Sequence, residues 1–291
     1  MGCVDCGGAG TPIDLDGRVT LARCSACALV FQAGWRDVYG AELYDYYGDR
    51  LDWPAERVHK PLNLTRMGEL LDDLEPRVGG RRLLDVGCGD GTAVRAASER
   101  GWQARGIELS EPAVELCRRF GLDCSAIDFF DPSLDDERFD VIIMIELLEH
   151  VPEPGRFLGR AAELLDPGGM LYLTTPNFGS VSRRVLGGDW RVIHQEHLSY
   201  FDARRLRSLA AGAGLTVERL TAVNISTATL RRIARRPVAD AADPGDRAHQ
   251  QEVRAQIEGS PVLRLAKTSI NRALSATRSG DTLKAWLRPV R

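Results

Sequence analysis

Residues 83–91 read LLDVGCGDG, an apolar run that ends in the acidic residue Asp85 and continues into three alternating glycines. Gly87, Gly89 and Gly91 let the backbone turn tightly and approach a ligand closely, as in dinucleotide-binding folds. Alternating glycines alone are weak evidence for a nucleotide site. The carboxylate of Asp85 adds information, because it suits an ammonium group better than a pyrophosphate.

Apolar and amphipathic segments alternate outward from this stretch. Short apolar runs predict strands at 82–86, 104–108, 123–127, 139–145 and 170–174. Helical spacing predicts helices between them at 92–100, 112–120 and 155–165. Strands that alternate with helices form βαβ units around a parallel sheet, so the sequence predicts an α/β fold. Beyond them we expect a helix at 203–211, a strand at 215–223, a helix at 262–274 and a strand at 281–288.

Acidic residues also end the next two predicted strands. Glu108 ends the second strand, where a carboxylate can accept hydrogen bonds from both ribose hydroxyls. Asp128 and Phe129 end the third strand, and they offer an acceptor for an adenine amine and an aromatic surface beside its ring.

Six segments resemble the class I S-adenosylmethionine-dependent methyltransferases in order and spacing: LLDVGCGDG, GIELS, IDFF, FDVIIMIELLEHV, LLDPGG and LTTPN. The resemblance runs from about residue 81 to residue 223. It implies a doubly wound, mostly parallel, seven-stranded Rossmann-like sheet that ends in an antiparallel pair of strands. Residues 225–280 would then be an insertion before the last strand. An NAD-type Rossmann domain is the alternative, but no hydride-transfer constellation accompanies the motif.

The resemblance also implies which residues bind S-adenosylmethionine. In that family the glycine-rich loop and the first acidic residue hold the methionine part, the second acidic residue holds the ribose, and the third-strand residues hold the adenine. The end of the fourth strand contacts the cofactor through its backbone. The corresponding positions here are Asp85, Gly87, Gly89, Glu108, Leu109, Asp128, Phe129 and Ile145.

Four of the seven cysteines lie near the N-terminus as two CxxC pairs, namely Cys3, Cys6, Cys24 and Cys27. Two such pairs can place four thiolates around one Zn²⁺ ion, and a closed set of four thiolates is typical of a structural site. The Asp16-Gly17 pair between them predicts a hairpin turn. We therefore predict a zinc ribbon; disulfides or reactive thiols are the alternatives. The remaining cysteines, Cys88, Cys117 and Cys124, are scattered in sequence and are expected to be buried apolar residues.

Glu146, Glu149 and His150 follow the fourth predicted strand, at the edge where open α/β sheets bind ligands. In a helical segment the three side chains would share one face. The run ELLEHVPEP resembles the ubiquinone-pathway O-methyltransferases, in which an ExxEH cluster is associated with a divalent cation. That resemblance implies Mg²⁺ or Zn²⁺ held beside an acceptor hydroxyl, whose pKa it would lower. The alternatives are His150 as a plain general base or orienting group, and a purely structural turn.

A second candidate for acid–base chemistry follows the fifth predicted strand, in the segment that covers the acceptor pocket of this fold. His194 and His197 could serve as a base and its orienting partner, with Trp190 as a stacking wall. Alternatively, His197 forms a local hydrogen bond and Trp190 packs. His59 and His249 lie in polar stretches and are expected to be solvated.

Composition limits the possible partners. The net charge of −3 argues against a strongly electrostatic nucleic-acid binder. No apolar run approaches the roughly 18 residues of a membrane helix, and the N-terminus lacks the pattern of a signal peptide. We therefore expect a cytoplasmic protein. The late basic clusters, at 204–207 and 231–236, favour either solvated helix faces or an anionic or carrier-tethered acceptor.

These observations predict an S-adenosylmethionine-dependent methyltransferase that acts on a small molecule, at a hydroxyl oxygen of a natural-product or sugar intermediate. A ribbon before such a core also resembles sugar C-methyltransferases, which carry a further large C-terminal domain, and some ribosomal or transfer RNA base methyltransferases. A non-enzymatic docking module is the third alternative. We expect a zinc ribbon at 1–34, a helical connector at 35–80 in which Tyr44 or Tyr47 could act as a lid, and the methyltransferase domain at 81–291.

Overall fold

The computed structural model describes residues 1–15, 19–37, 50–234 and 260–290, without the side chains of 261–264. The predicted Asp16-Gly17 turn, the predicted lid tyrosines Tyr44 and Tyr47, and His249 lie outside the described residues.

The described strands are β1 Gly10–Ile13, β2 Leu21–Cys24, β3 Val30–Gln32, β4 Arg82–Val86, β5 Gln103–Glu108, β6 Cys124–Ala126, β7 Phe139–Ile145, β8 Leu165–Pro176, β9 Ser199–Tyr200, β10 Leu215–Val223 and β11 Thr282–Pro289. The described helices are α1 Ala55–Val58, α2 Pro61–Leu74, α3 Thr92–Ser98, α4 Glu111–Arg119, α5 Pro154–Leu164, α6 Val181–Leu186, α7 Ala203–Gly212, α8 Thr227–Ile233 and α9 Pro261–Ala276. None of these helices combines the length and the hydrophobicity that a membrane crossing requires.

The chain folds into two compact units. The ribbon unit contains Met1–Trp35, Thr175–Leu206 and Leu220–Lys284, and the sheet unit contains Arg36–Thr174, Arg207–Arg219 and Ala285–Arg291. The division into 1–34, 35–80 and 81–291 stays a prediction; within the two units, strand pairing joins segments that are far apart in sequence.

The larger sheet has seven strands in the order β10-β11-β8-β7-β4-β5-β6. The five strands from β8 to β6 run parallel. Backbone bonds from Asp281 to Asn224 (3.0 Å) and from Val290 to Gly214 (2.8 Å) make β10 and β11 antiparallel. The predicted mostly parallel α/β sheet is therefore confirmed.

The central strands of this sheet are apolar on both faces, as expected for parallel strands covered by helices. The side chains of Leu83, Leu84, Val141 and Ile142 are fully buried in β4 and β7. This burial fixes the carboxyl ends of β4 and β7, from which the glycine loop and the residues after Ile145 emerge.

The ribbon unit contains a second sheet, antiparallel throughout, with the strand order β1-β2-β3-β9. Its last strand, β9, pairs with β3 through Val30–Tyr200 and Phe31–Ser199 and was not predicted. Trp190 is 3% exposed and packs in the apolar core of this unit, so its predicted role as a stacking wall gives way to the structural alternative.

Candidate active site and cysteine centres

The glycine-rich loop turns sharply between β4 and α3. Gly87 has a φ of +72°, and a Cβ added to it would lie 2.9 Å from Leu147 Cδ1. The N–H groups of Gly87 and Cys88 donate to the carbonyl of Ile107, at 2.9 and 3.1 Å. The left-handed backbone therefore favours glycine at position 87, and a larger residue would also displace the Leu147 side chain.

His59 contacts this loop through a buried side chain, although its polar sequence context predicts a solvated one. It is 1% exposed, its Nε2 lies 2.7 Å from the Asp90 carbonyl oxygen, and its Nδ1 lies 3.0 Å from Arg95 Nη1. A carbonyl only accepts and a guanidinium only donates, so the ring is the neutral tautomer with its proton on Nε2. The prediction was wrong because the burial comes from tertiary contacts, including an edge-on contact with Phe120 at 5.0 Å.

Asp85 ends β4 directly before the loop. Its side chain is buried, at 4% exposure. Burial raises the pKa of its carboxyl well above the usual value, and the charges of Cys124, Glu108 and Asp90 act in the same direction. A buried carboxylate among like charges is stabilised by a cationic ligand, which is the chemistry predicted for this position.

Glu108 and Asp128 lie at the ends of the two neighbouring strands. Glu108 Oε2 accepts from Gly89 N at 3.0 Å, and its Oε1 accepts from the N–H groups of Leu109 and Ser110 at 2.7 and 3.2 Å. These bonds fix the carboxylate, and they leave one lone pair, on Oε2, for a ligand. Asp128 is exposed, and its Oδ1 accepts from Phe130 N at 2.7 Å.

Phe129 differs from its neighbour Asp128. It is 3% exposed and stacks on Phe157, with ring centroids 5.8 Å apart. Its ring is thus held by packing inside the sheet unit rather than presented as an open aromatic surface.

The segment after β7 is not a helix. The predicted divalent-cation triad assumed a helix here, so that assumption was wrong. Glu146 has a φ of +49°, and α5 begins only at Pro154. Glu146 Oε1 accepts from Thr174 Oγ1 at 2.8 Å. Glu149 is 1% exposed, and one of its carboxylate oxygens lies within 4.8 Å of a ring nitrogen of His150. The structure therefore places the Glu149 carboxylate near the ring of His150 but does not place Glu146 on a shared helical face with them.

His194 and His197 form a ring pair in the ribbon unit, with centroids 3.8 Å apart. His197 is 7% exposed, and its Nδ1 lies 2.8 Å from the Val192 carbonyl. A carbonyl only accepts, so Nδ1 carries the proton and Nε2 is the basic nitrogen of the neutral ring. Burial lowers the pKa of His194, an effect that the charge of Glu196 opposes.

The four N-terminal cysteines converge as predicted for a ribbon. Their sulfur atoms all lie within 4.8 Å of one another, with Cys3–Cys27 at 3.7 Å and Cys6–Cys24 at 3.5 Å. Thiolates that surround one zinc ion at about 2.3 Å are about 3.8 Å apart, so this set fits a tetrahedral zinc ion. The Cys27 N–H also lies 3.4 Å from Cys24 Sγ, a contact that stabilises a thiolate.

The other three cysteines also converge, which their positions in sequence did not suggest. Cys88, Cys117 and Cys124 are buried as predicted, but their sulfur atoms lie within 4.8 Å of one another in the sheet unit. They come from the loop after β4, from α4 and from β6, so only the folded sheet brings them together.

Comparison with known proteins places this geometry in a family. A methyltransferase domain family model matches residues 59–220. The ubiquinone biosynthesis O-methyltransferase of Xanthomonas axonopodis pv. citri is 33% identical over 183 residues, which are 57% of this chain and 76% of that protein. The enzyme of the same name from Idiomarina loihiensis is 34% identical over 160 residues, or 50% of this chain and 62% of the relative. The chain thus spans between three fifths and four fifths of these two relatives.

Solved structures agree on the fold. The CcbJ methyltransferase from Streptomyces caelestis has a TM-score of 0.52 at 16% identity and covers 86% of this chain and 96% of its own. An S-adenosylmethionine-dependent methyltransferase from Mesorhizobium loti has a TM-score of 0.51 at 18% identity, with 82% and 99% covered. Taken with the family-model match over more than half of the sequence, these findings show that the chain belongs to the S-adenosylmethionine-dependent methyltransferase family.

Proposed function

We propose that this protein transfers the methyl group of S-adenosylmethionine to a hydroxyl oxygen of a small-molecule acceptor. The observation that carries the proposal is the row of carboxylates at the ends of β4, β5 and β6, with Asp85 buried beside a loop whose left-handed backbone favours glycine. The choice of oxygen rests on the relatives, which are named O-methyltransferases. Natural-product and sugar intermediates are the acceptors that we propose.

We assign the cofactor contacts to residues at this edge. Asp85 would bind the ammonium group, and the loop with Gly87 and Gly89 would lie against the methionine part. Glu108, with the adjoining Leu109, would hold the ribose hydroxyls, and Asp128 would accept from the adenine amine, beside Phe129. Ile145 would contact the cofactor through its backbone. When bound, S-adenosylmethionine supplies an electrophilic methyl group, so the chain need only orient the acceptor and accept its proton.

We propose that His150 is the base that accepts this proton from the acceptor hydroxyl. It follows the end of β7, and the buried carboxylate of Glu149 lies beside its ring. A carboxylate next to imidazole orients the ring and stabilises the imidazolium that forms when the ring takes a proton. The His194–His197 pair is the second candidate for this acid–base role, since Nε2 of His197 is its basic nitrogen.

We also propose that Cys3, Cys6, Cys24 and Cys27 hold a structural zinc ion. Four thiolates fill the tetrahedral coordination of zinc, which leaves no position for water or substrate. The ion would stabilise the fold around β1 and β2 without taking part in methyl transfer.

The test uses the full chain, methyl-labelled S-adenosylmethionine, and separate panels of hydroxylated small molecules and ribosomal RNA fragments. We expect label in the small-molecule fraction and a cofactor dissociation constant that is insensitive to RNA. His150→Ala should lower kcat by about 100-fold or more while cofactor affinity is kept, and Glu163→Ala, an exposed change on α5, is the matched control. Label in RNA alone, with binding that weakens steeply as salt rises, would replace this proposal by RNA methylation.

A further inference from the structure

The buried cysteines Cys88, Cys117 and Cys124, here called the thiol trio, form a cluster of three sulfurs beside the glycine-rich loop. Their exposed fractions are 7%, 0% and 5%. Cys88 Sγ and Cys124 Sγ are 3.8 Å apart, and Cys117 Sγ lies 3.4 Å from the carbonyl oxygen of Gly89. Three thiols that meet in this way are more than isolated small apolar residues.

The spacing of the trio suits one central atom. Two sulfurs bound to the same ion through bonds of about 2.3 Å are separated by roughly 3.8 to 4.0 Å. The 3.8 Å contact and the 4.8 Å limit on all three pairs therefore require little movement for three-sulfur coordination. Space around the sulfurs is tight, because a Cβ on Gly106 would lie 2.7 Å from Cys88 Sγ and 2.8 Å from Cys124 Sγ. A large or fully hydrated ion would not fit.

The charge balance of the thiol trio determines which kind of central atom it can bind. The surroundings are apolar, with Ala93, Val114 and Trp102 in the same core cluster. Hydrogen bonds with Cys117 and Cys124, together with burial, raise the pKa of the Cys88 thiol, and the charge of Asp85 acts in the same direction. Three thiolates around a monovalent or divalent metal would leave a net negative charge in this core, and burying such a charge is strongly unfavourable. Three thiolates around a trivalent atom give a neutral product.

We propose that the thiol trio is a binding site for a trivalent thiophilic species, for which arsenite is the probe. Arsenous acid and the three thiols condense to one arsenic atom with three As–S bonds, and three water molecules leave. The three S–H protons and the three hydroxyl groups form this water, and no electrons are transferred. Because no group needs to stay ionised in the core, the apolar surroundings favour this reaction over capture of a bare cation.

Arsenite bound at the thiol trio should also affect the glycine-rich loop; this consequence rests on the proposed function. Cys117 Sγ–H donates to the carbonyl of Gly89, and the condensation consumes that proton. The loop then loses a bond on its inner side, and we expect the affinity for S-adenosylmethionine to fall severalfold. By linkage, bound cofactor should weaken arsenite uptake by the same factor.

The experiment is performed on the reduced, zinc-loaded full chain. Mass spectrometry after arsenite treatment should show one arsenic atom with the loss of three protons and with zinc retained. X-ray absorption at the arsenic edge should show three sulfur neighbours. The chain has seven cysteines, so when four remain on zinc, three sulfurs on arsenic can come only from the trio. Both measurements use the wild-type protein, and neither depends on methyl transfer.

Variants then locate the site and test the link to the loop. Cys117→Ala should lower arsenite affinity at least tenfold, whereas Val114→Ala, a buried change on the same helix that removes no sulfur, should not. Displacement of zinc, fewer than three sulfurs on arsenic, or an unchanged adduct in Cys117→Ala would overturn the site. An intact adduct with unchanged cofactor affinity would overturn the link to the loop, and absence of any cofactor binding in the untreated protein would count against the proposed function instead.

Discussion

Nε2 of the buried His59 lies 2.7 Å from the backbone oxygen of Asp90, in the middle of the glycine-rich loop. The loop is thus held from two sides, by Glu108 at Gly89 N and by His59 at Asp90 O. Asp90 Oδ1 in turn accepts from Thr92 N at 3.2 Å and from Thr92 Oγ1 at 2.6 Å, which ties the loop to the first residue of α3. His59 is a positioning residue, because it acts on the cofactor site only through the loop.

Replacing His59 should weaken cofactor binding through this support. In His59→Phe the Asp90 carbonyl loses its donor, and a lost bond of this kind costs about 1 to 1.5 kcal/mol, or roughly tenfold in affinity. His59→Gln keeps a donor near the position of Nε2 and should recover much of the loss. Calorimetric titration with S-adenosylmethionine measures both. Equal losses in the two variants would show that only the volume of the ring matters.

Cofactor affinity should fall on acidification because of Asp85. Its raised pKa means that the free site takes up a proton at a higher pH than an ordinary carboxyl does. A cationic ligand must displace that proton, so the dissociation constant should rise as the pH falls, by at most about tenfold per unit. Asp85→Asn should bind at least tenfold more weakly with little pH dependence. Asp136→Asn, an exposed change, is the control, and a flat profile in the wild-type protein would contradict the assignment.

The ribbon unit should lose stability at mildly acidic pH because of His194. Burial lowers its pKa in the folded state. The unfolded chain therefore binds more protons just below about pH 6.5, so the stability is present above that value and is lost as the pH falls towards the folded pKa. Two groups face its ring: His197, at 3.8 Å between centroids, and Glu196, whose charge favours the protonated form. Denaturation at pH 7.5 and 5.5 should show a smaller loss in His194→Phe than in the wild type. An equal loss of stability in the two proteins would mean that a group other than His194 causes the pH dependence.

Removal of zinc should destabilise the ribbon unit. A chelator, or Cys24→Ser, would remove an ion that joins the two CxxC segments, and we expect the Tm of this unit to fall by at least about 5 °C. Ser25→Ala, which removes one exposed hydrogen bond to Ala9, is the control. Elemental analysis should give one zinc per chain in the wild type and in Ser25→Ala. A chain that contains no zinc and has an unchanged Tm would refute the structural role.

The ion pair between Asp5 and Arg205 should contribute measurably to the same unit. Arg205 Nη2 lies 2.7 Å from Asp5 Oδ2, and the two side chains are 13% and 12% exposed. Charged hydrogen bonds with little solvent access are worth about 1.5 to 3 kcal/mol. A double-mutant cycle with Asp5→Asn and Arg205→Met measures the coupling. A coupling energy below about 0.5 kcal/mol would mean that the pair behaves like an ordinary surface salt bridge.

Local pattern predicted the elements of the fold well. The strands predicted at 82–86, 139–145 and 215–223 match β4, β7 and β10 residue for residue. Residues 166–169 lie between the helix predicted at 155–165 and the strand predicted at 170–174, and they form a bulge within β8, where Leu165 pairs with Phe139 and Met170 with Val141. Alternation and helix-end residues are local signals, and they decide local structure wherever a buried face enforces them.

Features that depend on contacts between residues far apart in sequence could not be predicted from local sequence patterns. The burial of His59, the meeting of the thiol trio, and the pairing of β9 with β3 all join residues far apart in sequence. The ExxEH spacing suggested a shared helical face, but the left-handed φ of Glu146 and its bond to Thr174 break that face. One signal was available for His59: it stands two residues before the apolar face of α2, which packs into the core.

The pairing of β3 with β9 also constrains how the chain acquires its fold during synthesis. The cysteine knuckles and β2 are translated well before β9, so Val30 and Phe31 can pair early with β2 but receive their second strand neighbours only when Tyr200 has left the ribosome. Until then β3 is an open sheet edge, the kind of surface that recruits other chains. The N-terminal segment is therefore not a detachable module. A truncated protein without it would leave β9 with no partner strand in this sheet, and the segment on its own would leave one edge of β3 unpaired.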